Sequence, residues 1–202
     1  MHGVFYFIIF VILRVLIYDY KHKRFRKFYY DNKPSELYDS GFQYIPIIRF
    51  YFLDDVLVLL PVFLGIYYKI NFNEFLFMLT VIYVLREITT SITLLPPTPF
   101  CFERSRDKAS KSEYITNISG TCNETIFSGH TSLMLLIFLF ILPKIQSNLL
   151  KILIYIYAIV TSIVIIGIRS HYTIDVIVAW VICILFYVAY FGNKIVKKLL
   201  LN

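Results

Sequence analysis

Residues 126–191 read IFSGHTSLMLLIFLFILPKIQSNLLKILIYIYAIVTSIVIIGIRSHYTIDVIVAWVICILFYVAYF. Three apolar runs follow one another here, at 126–142, 149–168 and 173–191, parted only by short polar breaks. Each approaches the roughly 20 residues that a helix needs to cross a bilayer. They are too long and too unbroken for strands. Three more runs lie upstream: 3–18; 45–68, with Arg49, Asp54 and Asp55 inside it; and 74–95, with Arg86 and Glu87 inside it. The first run is followed by the basic string KHKRFRK (21–27) rather than a small-residue cleavage site, so it reads as a span and not as a signal peptide. The expected fold is all-α: one polytopic membrane bundle of six transmembrane helices, a single domain over residues 1–202.

Composition agrees. Of 202 residues, 58% are hydrophobic and 16% charged, and the mean hydropathy is +0.70. A soluble domain has about 45–50% apolar and about 25% charged residues. An ordinary water-soluble globule is excluded, and so is a disordered chain, which would be polar and poor in aromatics. With seven Gly and seven Pro there is no low-complexity linker.

Six crossings put alternate loops on opposite faces. One face carries the long loops 19–44 and 96–125 and the turn 169–172; the other carries both termini. The first face holds most of the loop Lys and Arg, which by the positive-inside rule makes it cytosolic. It also holds the sequons Asn117-Ile-Ser119 and Asn123-Glu-Thr125 and the pair Cys101 and Cys122, which point to a lumen.

Two of the four histidines stand where chemistry is expected. His130 opens the fourth run in FSGHT (127–131), and His171 opens the sixth in HYTID (171–175). The chain crosses twice between them, so both belong at the long-loop face. Asp175 lies four residues after His171, on the same helical face. A carboxylate there can fix the imidazole tautomer and stabilise the imidazolium. The blander reading is an Asp favoured by the helix dipole at an N-terminus. Ser128 is a good N-cap, Gly129 admits close backbone approach, and free N–H groups at a helix start attract phosphate. Arg86 lies about 13 Å inside its helix. It suits a phosphate or, equally, an ion pair with Asp54, Asp55 or Glu87. Thr89, Thr90 and Thr93 line the same cavity or bond back to their own helix. His2 and His22 read as surface residues and Cys183 as a small apolar one. The cysteines lack metal-ligand spacing, so no metal is expected.

These strings resemble a known family. FSGHT (127–131) and HYTIDVIVAW (171–180) resemble the third and fourth signature motifs of the sphingomyelin synthase family, part of the wider lipid phosphate phosphatase superfamily. LREITTSITLLPPTP (85–99) is similar to its second motif. ELYDSGFQYIP (36–46) resembles its first, in the form also seen in inositol phosphorylceramide synthases. The resemblance spans about 36–191. It departs at Cys122-Asn123-Glu124, where the family often has Cys-Gly-Asp; the acid is kept as Glu124.

The resemblance implies transfer of a phospho-headgroup, phosphocholine first among the candidates, from a glycerophospholipid to ceramide with release of diacylglycerol. It implies His130, His171 and Asp175 as catalytic residues, and Arg86, Ser128, Gly129, Glu124 and Tyr172 around the substrate. No cofactor is implied. The expected partners are membrane lipids (ceramide, glycerophospholipid and diacylglycerol), with a homo-oligomer as a further expectation and no nucleic acid. The site is expected on the lumenal or exoplasmic face of a multi-pass protein of the Golgi, endoplasmic reticulum or plasma membrane. Two alternatives stay open. One is a lipid phosphatase or phospholipase C-like hydrolase, although the phosphatase branch's Lys–Arg-Pro string is missing and 163–168 read IVIIGI where it has Ser-Arg. The other is a non-catalytic lipid-binding or lipid-storage protein.

Overall fold

The computed structural model describes residues 3–15, 37–50, 53–93, 95, 96, 98 and 126–200. Among the described residues there is no strand. The helices are α1 (Gly3–Val15), α2 (Ser40–Tyr44), α3 (Leu53–Tyr67), α4 (Phe72–Ile92), α5 (Gly129–Ile141), α6 (Asn148–Gly167) and α7 (Thr173–Leu200), with a 3₁₀ turn, Leu142–Lys144, prolonging α5.

The centre is α5. After its polar start it is apolar all round, and a helix of that kind must be enclosed. It packs against α3, α4, α6 and α7. Met134, Leu136 and Ile141 lose all exposure there, with Met78 and Ile82 of α4 and Ala179 and Cys183 of α7 in the same cluster.

The outer helices are built the other way round. On α6, Leu153, Ile156 and Val160 keep roughly half their surface exposed, as do Ile177 and Val181 on α7. An apolar outer surface on this scale suits lipid and not water. Among the described residues, three helices are long and apolar enough to cross a membrane: Phe72–Ile92, Asn148–Gly167 and Thr173–Gly192. Gly3–Val15 and Gly129–Lys144 are apolar but shorter, and α3 has 15 residues.

The second expected span, 45–68, needs correcting. Its described helix begins only at Leu53, and residues 45–50 are not helical. Pro46 has no N–H to donate and disfavours helix at the residue before it. The Ile48 N–H donates instead to the Gly167 carbonyl at 3.0 Å, so this stretch lies across the end of α6. Asp54 and Asp55 then fall in the first turn of α3, where the helix dipole favours acids.

Polar groups inside the bundle find partners across helices. Pro61 lies within α3 and leaves the Leu57 carbonyl without a helical donor. The Tyr157 hydroxyl of α6 donates to that carbonyl at 2.7 Å. Glu87 of α4 meets Arg14 of α1, Oε1 to Nε at 3.3 Å. This pairing between helices compensates charge where lipid cannot.

Candidate active site

The start of α5 is fixed by its own cap and by α4. The Ser128 side chain accepts from the Thr131 N–H at 3.2 Å and from the Thr131 hydroxyl at 2.9 Å, while its carbonyl accepts from the Ser132 N–H at 3.1 Å. Ser128 is fully buried, so its hydroxyl serves the helix as an N-cap. From α4, Arg86 Nε donates to the Phe127 carbonyl at 2.8 Å, Thr89 Oγ1 to the Ile126 carbonyl at 3.3 Å, and Tyr83 OH to the Gly129 carbonyl at 3.4 Å. Thr90 bonds back to the Arg86 carbonyl at 2.9 Å, the local use open to a buried Thr.

Arg86 is almost wholly buried, and its guanidinium lies against Gly129. A Cβ at Gly129 would stand 3.7 Å from Arg86 Nε and 3.9 Å from Tyr83 OH, ordinary contact distances. The fold therefore tolerates Gly129→Ala, and thermal stability should match the parent. If a ligand phosphate approaches these amides, the added methyl should lower kcat/KM by about 5- to 150-fold, since overpacking costs about 1–3 kcal/mol. Parent kinetics in this variant would place the phosphate elsewhere.

The start of α7 carries the second half. The Tyr172 N–H donates to Asp175 Oδ2 at 2.9 Å. This is half of a capping box, with the third helical residue reaching back to the cap. The same oxygen faces His171 Nδ1 at 3.7 Å, too far for a hydrogen bond. Both side chains are buried, and neither His171 Nδ1 nor Asp175 Oδ1 has a hydrogen-bond partner among the described residues.

One bond ties the two helix starts together. The Ser128 N–H donates to the Asp175 carbonyl at 3.1 Å. His130 stands two residues beyond that junction and His171 four residues before Asp175. The His130 Nε2 meets Asp55 Oδ1 of α3 at 2.9 Å, at a partly exposed position.

A third segment grips the turn before α7. Asp39 Oδ2 accepts from the Thr173 N–H at 2.7 Å and Oδ1 from the Thr173 hydroxyl at 2.6 Å. Arg169 donates to the carbonyls of Phe42 at 2.6 Å and Ile45 at 2.9 Å. Its guanidinium sits 4.3 Å from the centroid of the Phe42 ring. Burial lowers the Arg169 pKa from its ordinary value and the Asp39 carboxylate opposes that shift; a guanidinium stays charged regardless.

Of the residues singled out from sequence, the structure gathers Arg86, Ser128, Gly129, His171 and Asp175 at one end of the bundle, with His130 beside them. Tyr172 is there too, but its side chain is fully buried; its ring stacks on Phe42 and its hydroxyl donates to the Pro96 carbonyl at 3.3 Å. Glu124, Cys101, Cys122, Asn117, Asn123 and the basic string 21–27 lie outside the described residues. Asp39 and Arg169 escaped sequence reasoning, as did the pairing of Asp55 with His130. Only Asp39 carried a local signal, an Asp immediately before Ser-Gly at a helix start. Among the described residues, no group of three or more His, Cys, Asp or Glu is placed to share a metal ion.

Residues 121–191 match the family model described as PAP2 superfamily C-terminal. No curated protein matches the chain. The matched stretch holds both histidines, Asp175 and the Ser128 cap. It supports the superfamily level of the resemblance, and with it phosphatase or phosphotransferase chemistry on lipids.

Proposed function

We propose that this chain is a sphingolipid synthase, transferring a phospho-headgroup from a glycerophospholipid to ceramide through a phosphohistidine. The observation that carries this reading is the bond from the Ser128 N–H to the Asp175 carbonyl. It joins a capped, Arg86-braced helix start suited to phosphate with the turn that bears His171. Asp175 faces Nδ1 of His171, so the attacking atom is Nε2. That nitrogen forms a bond to phosphorus as the bond to the glycerol oxygen breaks. His130, held by Asp55, gives its proton to the departing diacylglycerol oxygen. Neutral His130 then takes the proton from the primary hydroxyl of ceramide. That oxygen attacks phosphorus and the N–P bond breaks. Imidazole suits both turns, with an ordinary pKa near 6.5, and such acid–base help is worth about 10²–10⁴-fold. Arg86 and the amides at the start of α5 hold the phosphate oxygens.

In this reading α1, α3 and α5 complete a six-span bundle, and the site lies on the lumenal face of an endomembrane compartment. Protease protection of a tag in the 96–125 loop, in sealed microsomes, tests the orientation; cleavage from the cytosolic side reverses it.

Reconstitution with fluorescent ceramide and phosphatidylcholine, phosphatidylethanolamine or phosphatidylinositol tests the reaction. A phosphosphingolipid with stoichiometric diacylglycerol is the expected product, and the productive donor names the headgroup. Diacylglycerol or free headgroup phosphate without a phosphosphingolipid would make water the acceptor and the chain a hydrolase. No product of either kind would leave a lipid-binding role.

A further inference from the structure

We propose that Asp39, 134 residues before Thr173 in the chain, is the positioning residue of the His171–Asp175 pair. This deepens the transferase reading and rests on it for its kinetic consequences.

The first N–H groups of a helix have no partner within the helix. At α7 the cap position falls on Tyr172, whose side chain is turned away to Phe42 and Pro96. It therefore offers no oxygen to the first turn. Asp175 satisfies the Tyr172 N–H but leaves the Thr173 N–H open. Asp39 fills that place from outside, with one carboxylate oxygen on the Thr173 N–H and the other on the Thr173 hydroxyl. The same Oδ1 also accepts from the Phe42 N–H at 3.2 Å. One carboxylate thus caps two helices at once and fixes α2 to α7.

The surroundings leave this grip little freedom. A Cβ on Gly41 would meet Thr173 Oγ1 and could not be accommodated without a shift, so glycine is what lets α2 approach. Arg169 anchors the other side of the turn on the carbonyls of Phe42 and Ile45. Ile48, in the non-helical stretch 45–50 after α2, donates to the Gly167 carbonyl, and Phe42 stacks on Tyr172 with centroids 5.5 Å apart. His171 is held between these fixings. Its ring must present one nitrogen to Asp175 and the other to phosphorus. An error of about 1 Å at such a centre costs roughly 10²-fold in rate. Asp39 touches no reacting atom in this scheme; it acts through Thr173.

The test uses the full chain in proteoliposomes. Asp39→Ala should lower kcat about 10²-fold with KM little changed. Asp39→Asn should stay within a few-fold of the parent: its amide oxygen still accepts from the Thr173 N–H, its NH₂ can donate to the Thr173 hydroxyl oxygen, and the Phe42 N–H, which loses the side-chain acceptor, keeps the Asp39 carbonyl at 3.2 Å. Thr173→Val removes only the hydroxyl bond and should fall between them; it carries the test if Asp39→Ala does not fold. An Asn variant as impaired as the Ala variant, or a loss confined to KM, overturns the proposal. Hydrogen exchange supplies a readout independent of turnover. Amides of 172–176 should exchange faster in Asp39→Ala, with those of α5 and mid-α6 unchanged. Unchanged exchange at 172–176 sinks the latch whatever the activity. A parent chain that moves no headgroup while Asp39→Ala loosens only 172–176 sinks the transferase reading and leaves the latch standing.

Discussion

Alanine at position 171 should abolish headgroup transfer, a fall of about 10⁴-fold or more of the kind seen when a covalent nucleophile is removed. The size follows from the site. His171 is buried beside Asp175, and no second imidazole can take its place without abandoning Asp55. The trapped intermediate should vanish with it: parent protein mixed with headgroup-labelled phospholipid should carry label on His171, stable to base and labile to acid, and His171→Ala should carry none. His130→Ala should behave differently. It loses the proton donor, worth about 10²–10⁴-fold, yet a substrate with a good leaving group such as nitrophenol needs no donor. With such a substrate His130→Ala should still form the labelled enzyme at close to the parent rate. Labelling of His171→Ala at residue 130 would exchange the two roles. Residual ceramide product in His171→Ala at parent rates would remove the histidine mechanism altogether.

The spans of α4, α6 and α7 were legible because membrane helices answer to one local quantity, the apolar content of about 20 residues in a row. The described helices start and stop within three residues of the expected runs except at 45–50 and past 191, where α7 continues to Leu200; the end of the first run lies outside the described residues. Ile45, Ile47 and Ile48 are as apolar as a spanning segment. Hydropathy cannot tell side chains that face lipid from side chains lying across a neighbouring turn. The capping serine and the His171–Asp175 spacing were legible for the same reason: both are patterns within one turn. What stayed hidden is long-range. Nothing near Pro61 announces that Tyr157 will satisfy the carbonyl it frees. Nothing near Asp55 announces His130, and nothing near Glu87 announces Arg14. These pairings arise from helix packing, so only a three-dimensional arrangement can supply them. Asp39 is intermediate, since its local cap was readable and its grip on Thr173 was not.

The second large effect is expected at Asp175, and it separates the two readings the sequence left open there. One oxygen of this carboxylate serves both the Tyr172 N–H and the face of His171. In Asp175→Asn the amide must turn its oxygen to that position, because its NH₂ group would oppose the Tyr172 N–H. The cap survives, and so does the acceptor that sets the His171 tautomer. Only the negative charge is lost. When Nε2 bonds to phosphorus with Nδ1 protonated, the ring becomes cationic, and a unit charge about 4 Å away is worth about 4 kcal/mol at an effective dielectric near 20. The Asn variant should therefore lose about 10³-fold in kcat while keeping parent thermal stability. Asp175→Ala should lose at least as much activity and, in addition, about 1 kcal/mol of stability with its cap. If the carboxylate were only a helix terminus feature, the order would reverse: the Asn variant would turn over like the parent and the Ala variant would differ in melting temperature alone.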